Sequence, residues 1–178
     1  MSLLRSTVFR RVALVVGVCV VLFLAATARL FVWPPTDRPT RADAVVALGG
    51  DPGQLRAQKA IALARAGYAP VALISLGGAV EAPCPHPVAG VRIDCFRADP
   101  LDTRGEAEYV GRVAARNHWT TLLLVSGTTQ ATRARMLFER CTSARLVVVP
   151  QAEATSRLPY DIVYEWGALA KALLRRSC

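Results

Sequence analysis

Hydrophobic residues along this chain occur first in one long run and then in short runs separated by amphipathic segments. Residues 12–28 contain no charged side chain, and the apolar pattern resumes after Arg29 and continues to Trp33. A helix of about 22 such residues is long enough to cross the roughly 30 Å hydrocarbon layer of a bilayer. Arg29 can extend its guanidinium toward the headgroups, and Trp33 is expected at the membrane interface, where indole is favoured. Residues 1–33 are therefore predicted to form a short tip and a transmembrane anchor.

Arginines mark the N-terminal side of this apolar run. Arg5, Arg10 and Arg11 flank it, and the positive-inside rule then places the N-terminus in the cytoplasm and the rest of the chain outside it. The tripeptide at residues 26–28 also fits the A-x-A site of a cleaved signal peptide. The apolar run is longer than a usual signal-peptide core, which favours a retained single-pass anchor in the plasma membrane, while cleavage stays open. In both interpretations the remaining domain is extracytoplasmic.

After the anchor, residues 34–42 are rich in proline and polar side chains, and we expect a short, stiff stalk. Residues 43–178 form one predicted domain in which apolar runs alternate with segments of helical periodicity. The predicted strands are residues 44–48, 71–75, 121–126 and 145–150, with a short edge strand at 91–96. The predicted helices are residues 54–66, 103–117, 128–141 and 161–175. This alternation predicts a mostly parallel sheet covered on both faces, which is a Rossmann-like three-layer α/β sandwich.

The cysteines indicate the compartment. Cys19 lies in the apolar run, which leaves four cysteines in the predicted exported domain. An even number in such a domain suggests two disulfides, and four cysteines allow three pairings. We favour Cys84–Cys95, which would close a short proline-rich loop, together with Cys141–Cys178, which would join the last residue to the end of a helix.

Positive charge dominates the chain, with 22 lysines and arginines against 13 acidic residues. Four arginines lie in or beside the apolar run, which leaves 18 basic residues against 13 acidic ones elsewhere. This modest excess permits an anionic ligand or a lipid surface, and without a helix-turn-helix or RNA-binding pattern we expect no nucleic-acid partner. No metal site is expected either, because CxxC is absent and His86 and His118 lack partners at ligand spacing.

Glycine and arginine follow the first predicted strand. In a parallel sheet the carboxyl ends of the strands share one edge, and ligands bind there. Gly49, Gly50 and Asp51 come after the first strand, and Arg56 lies in the first turn of the next helix. Glycines let the backbone approach a ligand, and a helix N-terminus attracts anions. The spacing is not GxGxxG, however, and a tight structural turn explains the glycines equally well.

Hydroxyl side chains end the second and third predicted strands. Ser75 precedes a pair of glycines, a pattern that fits either a ligand loop or a simple turn. Ser126 ends the third strand, and Thr129 and Arg133 follow it four residues apart, on one helix face. Hydroxyls, free backbone N–H groups and an arginine together favour a cradle for phosphate or carboxylate over simple N-capping with a solvated arginine.

Acidic residues also lie at the same edge, and two of them are candidates for chemistry. Asp102 is suited to cap the helix that follows it, and Glu106 lies in the first turn of that helix. A carboxylate there could bind a ribose hydroxyl, an amine or a metal-bound water. Asp51 and Glu106 are therefore the candidate acid/base pair, if the protein is an enzyme. No GxSxG, HExxH or P-loop motif occurs.

The combination and order of these motifs resembles the YdcF/SanA/ElyC family, a domain of unknown function. The likeness rests on ADAVVALGG, ISLGG, DTRGEA and LLLVSGTTQATRARMLFER and extends from residue 42 to about 150. It implies a Rossmann-like fold, a role in bacterial envelope or peptidoglycan metabolism, and binding of a nucleotide or S-adenosylmethionine. The positions that match the family's motifs are Gly49, Gly50, Arg56, Ser75, Thr103, Glu106, Ser126 and Arg133.

Two positions depart from the family pattern. Many members have a histidine three residues before the arginine of the helix after the third strand, where this chain has Gln130, and many have asparagine in place of Glu106. The change at position 130 removes the one obvious base that would titrate near neutral pH at that strand end. It weakens any histidine-dependent reaction and leaves anion binding intact.

Three functions remain open at this point. The first is a membrane-anchored, extracytoplasmic protein of envelope metabolism that binds a phosphate- or nucleotide-containing small molecule. The second is a hydrolase or transferase that acts on a phosphorylated or lipid-linked cell-wall precursor through Asp51 and Glu106. The third is a non-catalytic interaction protein of the envelope, for which Gln130 is the best support. The expected partners are the cytoplasmic membrane and an anionic ligand, and the sequence identifies no protein partner.

Overall fold

The computed structural model describes residues 2–51, 54–77 and 83–178, with side-chain surroundings from residue 9 onward. Pro52, Gly53 and Gly78, which belong to the predicted ligand loops, lie outside the described residues. The chain begins with a long helix, α1 (Ser2–Thr27), which continues as a short π-helical segment (Ala28–Val32). The stretch Phe9–Val32 is long and apolar enough to cross a membrane, and its side chains are mostly exposed.

The sheet has five strands, all parallel. They are β1 (Ala44–Ala47), β2 (Val71–Ser75), β3 (Arg92–Phe96), β4 (Thr121–Val125) and β5 (Arg145–Val148). Their order is β3-β2-β1-β4-β5, which confirms the Rossmann-like α/β class and the edge position of β3. The order reverses between β1 and β4, so the sheet has its switch point there.

Four helices complete the domain: α2 (Leu55–Arg65), α3 (Thr103–Arg116), α4 (Ala131–Cys141) and α5 (Leu158–Leu174). Helix α4 begins three residues later than predicted, because residues 128–130 form the turn that leaves β4. Helix α5 begins three residues earlier, with Pro159 in its first turn, where the missing N–H of proline costs no helical hydrogen bond.

Alternate residues of the central strand face opposite layers. Val45 and Ala47 pack in the cluster that contains α2, whereas Val46 and Leu48 pack in the cluster that contains α3 and α4. Every residue of β1 and β2 is buried, which explains why these strands consist of continuous apolar runs. The packing of both faces holds the carboxyl ends of the strands in fixed positions.

The segment predicted as a stalk is irregular, but it lies against the domain. Asp37 donates its backbone N–H to the carbonyl of Val148 at 2.9 Å, and its carboxylate accepts from the Val148 N–H at 2.8 Å. Arg135 donates to the same carboxylate at 2.6 Å. Burial alone would raise the pKa of Asp37, but the Val148 N–H and Arg135 together lower it. Through Asp37, the segment therefore contacts the edge strand β5.

Both favoured disulfides are present. Cys84 is bonded to Cys95 of β3, and Cys141 at the end of α4 is bonded to Cys178. Cys19, in α1, is a free thiol. The first bridge joins the loop before β3 to the strand itself, and the second holds the C-terminal tail against the domain.

The last helix joins the domain to the end of α1. The indole of Trp166 stacks on Phe23 with ring centroids 5.3 Å apart and meets Phe31 edge-on at 5.2 Å. Its Nε1–H donates to Thr27 Oγ1 at 3.2 Å. From α4, Thr132 Oγ1 donates to the carbonyl of Leu30 at 2.6 Å. Helices α4 and α5 therefore fix how the N-terminal helix leaves the domain.

Candidate functional site

A cavity of about 550 Å³ lies beyond the carboxyl ends of the strands, at the switch point between β1 and β4. Its wall is formed by the loops that follow all five strands and by the first turns of α2, α3, α4 and α5. Eight of the residues predicted to form a site line it: Gly49, Gly50, Asp51, Arg56, Thr103, Glu106, Thr129 and Arg133.

The loop after β1 is tightly packed against the loop after β2. A Cβ at Gly49 would collide with the backbone of Gly77, so no other residue fits there without displacement. Gly50 has φ of +78° and donates its N–H to the Gly77 carbonyl at 2.5 Å. The Asp51 carboxylate accepts the Arg56 backbone N–H at 2.7 Å and so serves the start of α2. Close packing therefore requires glycine at position 49, and the backbone conformation favours glycine at position 50.

Arg56 is a cation of the site that binds three different residues, and it is only 7% exposed. Its Nη1 donates to the Gly49 carbonyl at 2.6 Å and to Gln130 Oε1 at 3.1 Å. Its Nη2 is paired with the carboxylate of Glu153. Its Nε, by contrast, is buried with no hydrogen-bond partner among the described residues. A buried unpaired N–H is costly, and because this Nε is shielded, an acceptor in the cavity reaches it only when a neighbouring side chain moves.

Glu153 lies in the irregular segment after β5, in the wall of the cavity at the switch point. Besides Arg56, its carboxylate accepts from Thr129 Oγ1 at 3.3 Å and lies against Gly127. Its side chain is 31% exposed, so it is the more accessible partner of the pair. The carboxylate therefore lies beside the N-terminus of α4, which has no side-chain cap.

Gln130 links two of the predicted ligand residues. Its Oε1 accepts from Arg56, and its Nε2 donates to Thr103 Oγ1 at 2.9 Å. The glutamine amide can satisfy both groups at once because it carries an acceptor and a donor. At the position where the family pattern has histidine, this chain therefore has a bridging residue that stays neutral at all pH values.

Glu106 is buried behind the loop that follows β1 and is only 5% exposed. Its Oε1 accepts the Gly49 N–H at 2.7 Å, and Ser75 forms a side-chain hydrogen bond with the same carboxyl group. Burial raises the pKa of Glu106, although the hydrogen bonds and the nearby Arg56 and Arg133 partly oppose this. Ser75 does not line the cavity and instead supports Glu106 from behind.

Arg133 is buried, and one edge of its guanidinium is already paired within the protein. Its Nε and Nη2 donate to the two carboxylate oxygens of Glu165, each at 2.7 Å. Both side chains are buried. Burial alone would lower the pKa of Arg133, but the Glu165 carboxylate raises it. The sequence-based choice between a solvated arginine and an anion ligand thus missed a third state, a buried ion pair on the wall of the cavity.

Ser126 does not join the predicted cradle. It is fully buried, and its hydroxyl donates to the Gly127 carbonyl at 3.1 Å. Asp102 caps α3 as expected, accepting the Arg104 and Gly105 N–H groups at 3.0 Å each. The geometry therefore gives these two residues a structural part at the edge of the site.

Sequence reasoning missed the acidic and aromatic residues that the C-terminal part supplies. Glu165 had a detectable signal, because it is an acidic residue on the face of α5 that includes the buried Leu169. Glu153 had none, since it lies in an irregular polar segment. The remaining wall residues from this part include Arg157, whose guanidinium carbon is 5.9 Å from the ring centre of Tyr160.

The part of the chain that the structure describes contains no set of side chains arranged to bind a metal ion. No three histidine, cysteine or acidic side chains there are grouped so that they could hold a metal ion. Four carboxylates at the cavity, those of Asp51, Glu106, Glu153 and Glu165, are instead engaged with arginines and backbone N–H groups.

Comparisons with known proteins found no match: no family model, no curated protein and no solved structure is significantly similar to the chain. The YdcF-like resemblance stays a prediction that rests on the motifs named above.

Proposed function

We propose that this chain is a membrane-anchored, extracytoplasmic protein of cell-envelope metabolism that binds a small phosphate-bearing anion in the cavity at the switch point. The observation that carries the proposal is the buried Nε of Arg56, which has no hydrogen-bond partner among the described residues and belongs to a side chain on the wall of that cavity. Arginine offers its N–H groups in a planar fork that suits phosphate oxygens. A ligand oxygen would satisfy this Nε–H.

The carboxylates around the cavity outnumber the arginines, so their engagement matters. Asp51 and Asp102 accept backbone N–H groups at the starts of α2 and α3, and Glu165 is paired with Arg133. Burial raises the pKa of Glu106, which favours its neutral form. Asp161 and Glu153 remain; of these two, Glu153 is the one paired with Arg56, and it is the more exposed partner of that pair. We infer that a ligand phosphate takes the place of the Glu153 carboxylate beside Arg56.

Other groups at the same position suit an anion. Thr129 Oγ1 donates to Glu153 and would donate equally to a phosphate oxygen. Helix α4 begins there without a side-chain cap, and free N–H groups at a helix N-terminus attract negative charge. Arg157 lines the cavity from an exposed position. The YdcF-like resemblance adds nucleotides, S-adenosylmethionine and envelope precursors to the ligand classes worth testing.

The extracytoplasmic placement is supported by two features. The apolar part of α1 follows Arg5, Arg10 and Arg11, which the positive-inside rule keeps in the cytoplasm. The domain that follows contains two disulfides, which persist in oxidising compartments. Together they favour an anchored domain on the outer side of the plasma membrane, or a secreted domain if the helix is cleaved.

A second candidate is a hydrolase or transferase with Glu106 as general acid. The observation in its favour is a buried carboxyl group of raised pKa on the wall of a cavity, which is typical of catalytic acids. Asp51 is the weaker member of the predicted pair, because its carboxylate accepts the Arg56 backbone N–H. Turnover of a phosphorylated substrate by the parent and none by Glu106→Gln would support catalysis, and equal turnover would remove Glu106 from it.

The binding proposal is tested by thermal unfolding of the full-length protein in detergent micelles with a panel of ligands. The panel contains nucleotides, S-adenosylmethionine, nucleotide sugars and polyprenyl phosphate analogues. A ligand at about one hundred times its Kd should stabilise the protein by about 2.7 kcal/mol. We expect the shift with phosphate-bearing ligands to disappear in Arg56→Met and to persist in Arg65→Met, an exposed site in the last turn of the same helix. No shift with any member, or equal shifts in both variants, would contradict the proposal.

A further inference from the structure

One face of α5 is apolar and exposed, although the helix belongs to the folded domain. Tyr160, Val163 and Tyr164 recur at the spacing of a single helical face and are 65%, 74% and 58% exposed. Leu174 at the end of the helix is 86% exposed. An amphipathic surface helix normally turns charged residues to water, so this face indicates a non-aqueous neighbour.

The same helix lies against the candidate membrane span. Trp166 stacks on Phe23 of the span and donates a hydrogen bond to Thr27. Val163 precedes Trp166 by three residues, which places it one helical turn away on an adjoining part of the surface. The exposed face of α5 is thus continuous with the point where the domain meets the span.

The length of the span sets the depth of this contact. At 1.5 Å per residue, a hydrocarbon layer of roughly 30 Å takes up about 20 helical residues. If the layer begins at Phe9, the first residue of the span, it ends near Ala28, and Phe23 lies about 8 Å inside it. A later start places Phe23 deeper still. Trp166, which stacks on Phe23, therefore lies at the lipid boundary. Because Trp166 belongs to α5, this helix lies at the boundary too.

Aromatic and basic residues surround this level of the structure. Trp33, directly after the span, is 73% exposed, and Arg29 Nη1 donates to its carbonyl at 3.3 Å. Tryptophan and tyrosine are enriched where membrane meets water. Tyr160 and Tyr164 on α5 would supply further members of the same aromatic belt.

We propose that the exposed face of α5, formed by Tyr160, Val163 and Tyr164, rests in the headgroup layer of the bilayer that holds α1. The inference rests on the membrane anchoring in the proposed function. Tyr160 and Tyr164 also line the cavity at the switch point, so the cavity opens at the level of the headgroups. Its ligand is then an anion presented by the lipid surface, such as the phosphate of a lipid-linked molecule.

The test uses the full-length protein in liposomes of phosphatidylethanolamine and phosphatidylglycerol, with nitroxide spin labels. The label is placed at Val163→Cys in a Cys19→Ala background, and at Ala62→Cys in the same background as the matched control. Ala62 is exposed on α2, which packs on the opposite face of the sheet from α4. A third sample carries the label on Cys19 of the parent chain, within the span. Collision rates with oxygen, which partitions into lipid, are compared with those of a water-soluble nickel complex.

We expect a ratio of oxygen to nickel collisions that is several-fold higher at position 163 than at position 62. Equal ratios at these two positions, with a lipid-like value at Cys19, would overturn the inference and leave the anchor intact. A water-like value at Cys19 would show that the anchoring itself fails, and the inference with it. Dipolar broadening at position 163 that vanishes on dilution with unlabelled protein would show a second copy on this face and would also overturn it.

Discussion

Glu165 of α5 accepts two parallel hydrogen bonds from the guanidinium of Arg133 on α4, each 2.7 Å long, in the wall of the cavity. Trp166, which follows Glu165, and Thr132, which precedes Arg133, contact the end of the N-terminal helix. The ion pair therefore joins the cavity to the point where the domain meets its anchor. Neither partner is exposed, so the pair depends on its own geometry for compensation.

Glu165→Gln is expected to destabilise the full-length protein by about 3–5 kcal/mol, because it leaves the charge of Arg133 buried without a counter-ion. Urea unfolding in micelles, followed by circular dichroism, measures the difference. Glu139→Gln, at an exposed position of α4, is the matched control and should change the free energy of unfolding by no more than about 0.5 kcal/mol. Equal stabilities of the two variants would mean that the pair is not intact in solution.

Glu153→Gln should tighten the binding of a phosphate-bearing ligand by about tenfold, which corresponds to about 1.4 kcal/mol. The variant removes the charged competitor that pairs with Arg56 and accepts from Thr129. The measurement is the ligand concentration needed for half of the maximal thermal shift. Weaker binding in this variant than in the parent would show that Glu153 contributes to the ligand site instead of competing for it.

Glu106 should make stability fall as pH rises. Burial raises its pKa in the folded protein above the ordinary value of 4.5, so the folded state binds this proton more tightly than the unfolded state does. Its contribution is fully present below pH 4.5 and is lost as pH rises through the folded pKa. Glu106→Gln removes this dependence, so the stability of the variant minus that of the parent should increase over that window. A difference that stays flat from pH 4 to 8 in urea unfolding would argue against a raised pKa.

The two disulfides should differ in their contribution to stability. Their partners are 37 and 11 residues apart, and the longer loop loses more entropy when it is closed in the unfolded chain. Loop-closure entropy predicts a cost of about 3.8 kcal/mol for Cys141→Ser with Cys178→Ser and about 2.8 kcal/mol for Cys84→Ser with Cys95→Ser. Unfolding of the two double variants under identical conditions gives the comparison. A larger loss for the shorter loop would assign the difference to native contacts.

The fold was accessible from the sequence because periodicity and burial coincide in it. The runs at 71–74 and 122–125 are apolar throughout, and the structure buries every residue of both. The helix boundaries were less accurate, since the turn at 128–130 and the early start of α5 depend on local turn chemistry. The contact of the segment at 34–42 with β5 could not be predicted, because proline content reveals stiffness but not packing partners.

The candidate site was accessible only in part. Glycines and arginines after the strands indicated the correct edge of the sheet, because that edge follows from topology. The partners of the arginines did not follow, since Glu153 is 97 residues from Arg56 and Glu165 is 32 residues from Arg133. No local pattern reports such pairs. The preference for an anionic ligand was inferred from the arginines alone. It therefore did not take into account the carboxylates that neutralise them.

The central claim is that Arg56 holds a phosphate-bearing ligand at the switch point. Calorimetric titration of the full-length protein with inorganic pyrophosphate tests it most directly, because this probe carries the proposed chemistry and nothing else. We predict saturable binding at one site per chain, weakened at least tenfold in Arg56→Met and unchanged in Arg65→Met. Binding that is equally strong in all three proteins, or that does not saturate in the parent, would contradict the account.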